Sequence, residues 1–214
     1  MADDSDFDFF VLTPSDFADV TDILAREFFT REPLTQGTHA SNVQVRKGRV
    51  ADDIRMCLEA GVSVGVRHRP TGELVGVRIS FIKSRAGSSP PTQPANELEA
   101  LFRVYDEVMK EVDVFEAQDV DKVLSMYMVG VHRDFGGRGL GRKLVERCME
   151  KGVEKGCQLA VTCITNKYSG RIFEKLGYEV RHCLDLTSLG PEWGVDTSVM
   201  GENTTVRVMI KRLP

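Results

Sequence analysis

The fold of this chain is decided by residues 123–145, which read VLSMYMVGVHRDFGGRGLGRKLV. Val123–Val131 is a mostly apolar run of strand length, so it predicts a buried strand. Gly136–Gly141 is a glycine-rich turn, and apolar residues recur at helical spacing after it. Glycines let the backbone approach a ligand closely, and the N–H groups at a helix start attract phosphate. The stretch therefore predicts a strand, an anion-binding turn and a helix; a glycine-rich turn without a ligand is the alternative.

Two common phosphate-binding motifs are excluded at this turn. A Walker loop needs Gly-Lys followed by Ser or Thr, and those residues do not follow at the required spacing. The dinucleotide fingerprint G-x-G-x-x-G needs glycine or alanine where this chain has Arg142. Neither motif explains the glycines.

Strands and helices alternate on both sides of this unit. Downstream, the pattern predicts strands at Leu159–Ile164, Tyr178–Leu186 and Thr204–Lys211, a helix at Ser169–Leu176 and a long connection at Ser188–Asn203. Upstream, it predicts strands at Phe7–Leu12, Val62–Arg67 and Leu74–Ile82, helices at Pro14–Phe29, Val43–Ala60 and Glu97–Val114, and a loop at Ser84–Asn96. This order predicts an α/β fold with a mixed sheet, and 214 residues suit a single domain over residues 1–214.

Composition excludes several classes of protein. A net charge of −4 offers no basic face for nucleic acid. The N-terminal residues are acidic and the longest apolar run is too short to cross a bilayer, so neither a secretory signal nor a membrane segment is expected. The five cysteines contain no C-x-x-C pair and no histidines have metal-ligand spacing, so no metal site is expected. We expect a cytoplasmic monomer with reduced thiols.

Two segments resemble the GNAT superfamily of N-acetyltransferases. Val131–Gly141 is similar to its acetyl-CoA-binding motif Q/R-x-x-G-x-G/A, matching at Gly137, Gly139 and Gly141, although Gly136 stands at the Gln/Arg position. Asn166–Tyr178 resembles the segment N-x-x-A-x-x-x-[YF]-x-K-x-G-[FY]. The resemblance implies a mixed, mostly antiparallel sheet of about seven strands flanked by helices. It also implies two strands that splay apart to hold the pantetheine arm.

The same resemblance implies a cofactor site. Acetyl-CoA would be the co-substrate, held mainly by backbone N–H groups. The implied binding residues are Val129, Gly130, Val131, Gly137, Arg138, Gly139, Leu140, Gly141, Arg142 and Asn166. A small amine would be the second substrate, with no nucleic acid, membrane or metal involved.

Within the superfamily, Phe28–Leu34 and Tyr168–Arg171 resemble the arthropod arylalkylamine N-acetyltransferase-like group. This resemblance implies that Glu32 is the general base, acting directly or through water. A base is required because an alkylamine with a pKa near ~10 is almost entirely ammonium at neutral pH. Ser169 is either the implied general acid, a role that Thr165 could share, or a small residue that packs a short helix against CoA. The tyrosine acid of many relatives falls at Phe173, which has no hydroxyl.

The substrate is expected to be an arylalkylamine such as tyramine, dopamine, serotonin or tryptamine. Aromatic residues near the expected amine pocket, Phe28, Phe29 and Trp193, would bury its ring. Two alternatives stay open: an enzyme of the same fold acting on a polyamine, agmatine or an amino acid with another acyl-CoA, and a binding module that holds acetyl-CoA without turnover. His132 is an alternative base.

Overall fold

A seven-stranded sheet forms the centre of the structure, a computed structural model that describes residues 4–40, 45–86, 98–116 and 118–214. The strands are β1 (Phe7–Val11), β2 (Val64–His68), β3 (Glu73–Ser84), β4 (Lys122–Val131), β5 (Leu159–Ile164), β6 (Glu179–Asp185) and β7 (Thr205–Arg212). Their spatial order is β1-β2-β3-β4-β5-β7-β6. All neighbouring pairs in the described residues are antiparallel except β4 and β5, which are parallel. The expected mixed, mostly antiparallel sheet is confirmed.

Helices cover both faces of this sheet. They are α1 (Phe17–Glu27), α2 (Pro33–Gly37), α3 (Gly48–Glu59), α4 (Glu99–Lys110), α5 (Leu140–Glu154) and α6 (Lys167–Lys175). Helices α1, α3 and α4 contribute to one apolar core, and α5 and α6 contribute to the other. Successive residues of β5, Ala160 and Val161, enter opposite cores because side chains alternate along a strand. In the described part of the chain, no helix is both long and apolar enough to cross a membrane.

The parallel strands β4 and β5 separate halfway along β4. Their ladder runs from the pair Val123–Leu159 to the pair Met126–Thr162 and stops there. Beyond this point β4 is paired with β3 alone, and β5 is paired with β7 alone. The β3–β4 register shifts so that Ile79 faces Met128 and Ser80 faces Met126, which leaves Tyr127 as an extra residue in β4. Such a bulge bends its strand, so it accounts for the divergence of β4 from β5.

The first helical region differs from the sequence expectation. Helix α1 ends at Glu27 rather than Phe29, and a short helix, α2, begins at Pro33, where only a helix end was expected. Proline excludes Glu32 from the helical conformation, and Glu32 has φ −74° and ψ 122°. The same proline has its φ preset for the first position of a new helix, and Glu32 caps that helix. The proline therefore separates two helices.

Other boundaries moved by a few residues. Helix α3 begins at Gly48, inside the expected range Val43–Ala60, of which residues 43 and 44 lie outside the described residues. Helix α4 is shorter than the expected Glu97–Val114, and residue 97 is likewise outside them. The expected loop Ser84–Asn96 lies outside the described residues from position 87. The expected connection Ser188–Asn203 contains the end of a short 3-10 helix at Leu186–Ser188 and two more at Pro191–Trp193 and Thr197–Val199.

Gly152 should set how closely α5 packs on β4. A Cβ atom at this position would lie 2.8 Å from Leu124 Cδ2 in the buried core. We expect Gly152→Val to lower the free energy of unfolding by about 1–3 kcal/mol, because overpacking displaces side chains from their rotamers. Arg147→Val, on an exposed position of the same helix, should change it by less than about 0.5 kcal/mol. Urea denaturation of both variants measures this; equal effects would contradict the packing account.

Candidate active site

The gap between β4 and β5 opens into a cleft of about 450 Å³. It is walled by the end of α1, the start of α2, the separated ends of β4 and β5, the glycine-rich turn and the start of α6. The residues that line this cleft are Glu27, Phe28, Arg31, Glu32, Pro33, Arg78, Tyr105, Tyr127, Val129, Val131, Arg133, Gly136, Gly141, Thr162, Cys163, Ile164, Thr165, Asn166, Tyr168, Ser169, Ile172 and Phe173. One cavity therefore joins the glycine-rich turn to the segment around Glu32.

The β4 edge of the cleft has backbone groups without a strand partner. His132 N–H donates to Val75 C=O at 2.8 Å, which makes Val131 and Gly76 a non-hydrogen-bonded pair. The N–H and C=O groups of Val131, and those of Val129 two residues earlier, therefore point away from β3 and towards the gap. An extended ligand lying along this edge can pair with them as another strand would.

The glycine-rich turn lies at one end of the same cleft and leads into the N-terminus of α5. Gly137 and Gly139 have φ of +73° and +80°, a conformation that other residues rarely adopt, and Gly139 caps α5. The N–H groups of residues 140–142 belong to the first helical turn and have no acceptor within the helix. Free N–H groups at the start of a helix suit an anion such as a pyrophosphate.

The cofactor residues expected from sequence divide into two groups. Val129, Val131, Gly141 and Asn166 line the cleft. Gly130, Gly137, Arg138, Gly139, Leu140 and Arg142 are not among the residues that line it. Leu140 is buried in the core, and the Arg142 side chain bonds Glu146 Oε1 at 2.9 Å. The glycines of this second group can contribute only through their backbone.

Glu32 is a buried carboxylate that accepts four hydrogen bonds. Its side chain caps α2, accepting from the N–H groups of Leu34 and Thr35 at 3.1 and 2.5 Å. The Thr35 hydroxyl donates to Oε2 at 2.6 Å, and the Thr165 hydroxyl donates to Oε1. A carboxylate has about four acceptor positions, so those of Glu32 are all used. A new proton donor therefore reaches Glu32 by replacing one of these partners or by acting through Thr165.

The other expected catalytic residues lie at the start of α6. Thr165 is buried and joins this segment to Glu32, which is 133 residues earlier in the chain. Ser169 lines the cleft, but its hydroxyl donates to the Asn166 carbonyl at 2.9 Å. The Asn166 side chain caps α6 by accepting from the Tyr168 N–H at 2.8 Å. Glu32, Thr165 and Ser169 thus share one cleft.

A smaller pocket of about 350 Å³ adjoins the cleft, and we call it the side pocket. Its walls are Arg49, Asp53, Met56, Phe81, Ile82, Lys83, Ser84, Phe102, Tyr105, Asp106, Met109, Ser125, Met126, Tyr127, Val161, Thr162 and Cys163. Tyr105, Tyr127, Thr162 and Cys163 also line the cleft. The two cavities therefore meet at these four residues.

Charged groups of the side pocket are balanced in number, with two carboxylates and two cations. Asp53 lies 3.9 Å from the Arg49 guanidinium and accepts the Tyr127 hydroxyl at 3.3 Å. Burial raises the pKa of Asp53, and the positive charge of Arg49 partly offsets this. Burial lowers the pKa of Lys83, which the negative charge of Asp106 partly offsets. Among the described residues that line the pocket, positive and negative groups are thus equal in number.

The aromatic residues expected around the amine are only partly found there. Phe28 lines the cleft, whereas Phe29 is buried in the core and stacks edge-on against Phe28. Trp193 lines neither the cleft nor the side pocket and packs on Arg103 of α4. The rings of the side pocket are instead Phe81, Phe102, Tyr105 and Tyr127. Sequence periodicity did not identify them because they converge from α4 and two strands.

Two other candidate groups are less suited to catalysis. His132 is not among the lining residues, and its Nδ1 accepts the Asp134 N–H at 3.2 Å. Cys163 lines both cavities, but burial raises the pKa of its thiol to about 12, so it is protonated and weakly nucleophilic at neutral pH. No group of three or more His, Cys, Asp or Glu residues that could hold a metal ion occurs among the described residues.

Arg78 is the residue that sequence analysis missed. It lies in the middle of β3, is 2% exposed and lines the cleft. The signal was present, because a lone arginine interrupts the apolar run Leu74–Ile82. The pattern does not show which way the Arg78 side chain points, since that side chain crosses beneath β4 and donates a hydrogen bond to Thr162 of β5 at 3.3 Å.

Comparisons with known proteins agree with this geometry. The family model described as FR47-like protein, of GNAT type, matches residues 117–185. An acetyltransferase of Photorhabdus laumondii is 38% identical over 60 residues, which are 27% of this chain and 42% of that protein. The chain thus spans less than half of the length of this curated relative.

Solved structures resemble the whole described fold. Arylalkylamine N-acetyltransferase 2 from Aedes aegypti has a TM-score of 0.87 and 22% identity, covering 97% of this chain and 99% of that one. Drosophila melanogaster polyamine N-acetyltransferase, which forms N-acetylagmatine, has a TM-score of 0.82 and 20% identity over 97% of this chain and 100% of that one. Arabidopsis thaliana Naa50, solved with a CoA bisubstrate analogue, has a TM-score of 0.56 and 9% identity over 96% and 98%. The chain therefore has the GNAT fold, and its resemblance to the GNAT N-acetyltransferases is confirmed.

Proposed function

We propose that the chain is an acyl-CoA-dependent N-acetyltransferase that transfers an acetyl group from acetyl-CoA to a small primary amine. The observation that carries this proposal is the single cleft that joins an unpaired strand edge and a helix N-terminus to the Glu32–Thr165 pair. The proposal also covers three expectations from the sequence: one domain over residues 1–214, a monomeric state and a cytoplasmic location.

The acyl-CoA half of the proposal rests on backbone groups. Pantetheine contains amides, and the outward N–H and C=O groups of Val129 and Val131 offer them strand-like partners. The pyrophosphate would bind at the start of α5, where Gly139 holds the turn open. Because Gly136 has no side chain, the contact that a Gln or Arg at this position could make is missing, while the backbone N–H donors of the turn are retained.

The amine half rests on Glu32 and Thr165. The amine arrives as ammonium and must lose a proton before its nitrogen can attack the thioester carbon. Because the acceptor positions of Glu32 are occupied, we propose that the Thr165 hydroxyl takes the amine proton as it passes its own to Glu32. A C–N bond then forms, the C–S bond breaks, its electron pair leaves with sulfur, and the second proton of the nitrogen goes to water as the amide forms. Both substrates bind before transfer, because the protonated Cys163 is a poor acyl acceptor.

Ser169 has a smaller role in this proposal. Its hydroxyl proton is directed at the Asn166 carbonyl, away from a leaving sulfur. A thiolate also leaves readily without a proton, because the pKa of a thiol is near ~8.5. Ser169 therefore supports the first turn of α6 and contributes little as an acid.

The side pocket favours an arylalkylamine. Its aromatic and methionine side chains can surround a ring, and its balanced charges leave no carboxylate in excess for a second ammonium group. Burying a ring is worth a few kcal/mol, or about a hundredfold in preference. One of the relatives named above is an arylalkylamine N-acetyltransferase, and another forms N-acetylagmatine. A polyamine, agmatine or an amino acid with another acyl-CoA is therefore the alternative substrate class. The non-catalytic acetyl-CoA-binding module is the other alternative.

Gly139→Val should strongly weaken acetyl-CoA binding, because a β-branched residue resists φ near +80° and its side chain would project into the open space beside the turn. Gly72→Val is the matched control, since Gly72 has φ +70° and equally open surroundings in the β2–β3 turn. Calorimetry should find normal affinity in the control and a loss of about a hundredfold or more for Gly139→Val. Equal affinities would remove the turn from the binding site.

Glu32→Gln should lower turnover by about two to four orders of magnitude with acetyl-CoA affinity retained, the usual scale for loss of a general base. Thr165→Val should lower turnover by at least about tenfold, whereas Thr165→Ser, which keeps the hydroxyl, should retain most of it. Ser169→Ala serves as a hydroxyl deletion in the same cleft and should cost less than Thr165→Val. Steady-state thiol release measures all four variants; a Ser169 effect larger than that of Thr165 would reverse the two roles.

Tyramine, dopamine, serotonin and tryptamine should give higher kcat/KM values than spermidine or agmatine in a thiol-release panel with acetyl-CoA. Phe81→Ala should lower the preference for tyramine over agmatine by about tenfold, because it removes one ring wall of the side pocket. Preference for either polycation would overturn the aromatic assignment and leave the transferase proposal intact. Acetyl-CoA binding without thiol release on any amine would favour the non-catalytic alternative.

A further inference from the structure

Arg78 is a buried cation with few polar partners. Its Nη2 donates to Thr162 Oγ1 at 3.3 Å, while its Nε has no hydrogen-bond partner among the described residues. None of the carboxylates in the described residues is at ion-pair distance from it. The guanidinium carbon lies 5.4 Å from the centre of the Phe173 ring. A cation–π contact and one hydrogen bond to a neutral hydroxyl are weak compensation for a buried charge.

The neighbours of Arg78 do not neutralise it. Burial lowers the pKa of Arg78, but an arginine side chain still keeps its proton at neutral pH. The nearest titratable groups are Cys148, Tyr178 and Cys57, and burial raises the pKa of each, that of Cys148 to about 11. They are therefore neutral near pH 7. An unpaired buried charge is unfavourable, so a negative group in the cleft beside Arg78 would be stabilised.

The position of Arg78 indicates which part of the cleft would hold a negative group. Thr162 accepts the hydrogen bond from Arg78, and it pairs with Met126 at the end of the β4–β5 ladder. The guanidinium is thus at the point where the two strands separate, and it lines the same cleft as Glu32 and Thr165. A negative charge that develops at this point faces the Arg78 guanidinium, and the Phe173 ring beside it has no hydroxyl.

We propose that Arg78 is a catalytic residue that stabilises the CoA thiolate as the thioester bond breaks. This inference rests on the acetyl-CoA-dependent function proposed above. In the step, the amine nitrogen bonds to the carbonyl carbon, and the C–S electron pair passes to sulfur. The ammonium proton has gone to Glu32 through Thr165 before attack, and the second proton, which the nitrogen loses as the amide forms, goes to water, so sulfur leaves as an anion. Arg78 is an electrostatic partner for this anion, and the reaction requires no acid at the sulfur.

The competing role for Arg78 is structural, as a clamp between β3 and β5 through Thr162. The two roles differ in what they do to the bound thiol. A cation beside the sulfur lowers the thiol pKa in the complex below its free value near ~8.5. Free CoA then binds more tightly as pH rises from the bound pKa to the free pKa, because the complex prefers the thiolate. A structural clamp gives no such dependence.

The test compares CoA with acetyl-CoA by calorimetry between about pH 6.5 and 9.5. Acetyl-CoA carries the same phosphates but no titrating thiol. The ratio of the two affinities therefore reports the effect of thiol ionisation on binding. In the wild type, we expect the affinity of CoA relative to acetyl-CoA to rise at least about tenfold across this range, the effect of one unit in pKa. A flat ratio in the wild type would overturn the role of Arg78 while leaving acetyl-CoA binding, and thus the proposed function, intact. Failure of the wild type to bind either ligand would overturn both.

Variants assign the effect to this side chain. Arg78→Gln should abolish the rise in the ratio and lower turnover by about tenfold to a thousandfold with acetyl-CoA affinity retained. Arg78→Lys, which keeps a charge, should retain part of the rise. Arg103→Gln is the matched control, because Arg103 also has a buried Nε without a partner but lies against Trp193, outside the cleft. A rise that persists in Arg78→Gln would contradict the proposal, and if that variant does not fold, the Arg78→Lys variant and the wild-type ratio decide.

Discussion

The separation of β4 from β5 is the constraint on which the rest of the site depends. The β3–β4 register admits one extra residue, Tyr127, immediately after the last β4–β5 pair at Met126 and Thr162. A bulge at this point bends β4 and leaves the following backbone groups without partners on one side. Open edges are usually paired or covered in folded proteins, so this one calls for a ligand. The cleft, the side pocket and the buried arginine all meet around it.

Glu32 and Arg78, two of the charged residues that line the cleft, differ in how many polar partners they have. Glu32 accepts four hydrogen bonds and is fixed at the start of α2 before any substrate arrives. Arg78 has one polar contact and no carboxylate partner among the described residues. An aminolysis needs a proton acceptor for the amine and a partner for the anionic leaving group. In the proposed mechanism, Glu32 has the first role and Arg78 the second.

Sequence predicted the strand–turn–helix unit and most of the sheet because these depend on local patterns. The strand Leu159–Ile164 was predicted to the residue, and the alternation of helices and strands indicated the fold class. Helix α2 was missed because Pro33 was interpreted only as a helix end, although its fixed φ also suits a helix start. Arg78 and the ring walls of the side pocket were missed for another reason. They face the cavities through long-range packing, which no local pattern encodes.

In the proposed function, the unpaired β4 edge and the start of α5 hold acyl-CoA through backbone N–H groups. Hydrogen exchange of the chain with and without acetyl-CoA, followed by mass spectrometry, measures those groups directly. The account predicts slower exchange in peptides covering Tyr127–Val131 and residues 139–142 when acetyl-CoA is bound, with β6 unchanged as an internal reference. Unchanged exchange in both segments at saturating acetyl-CoA would contradict it.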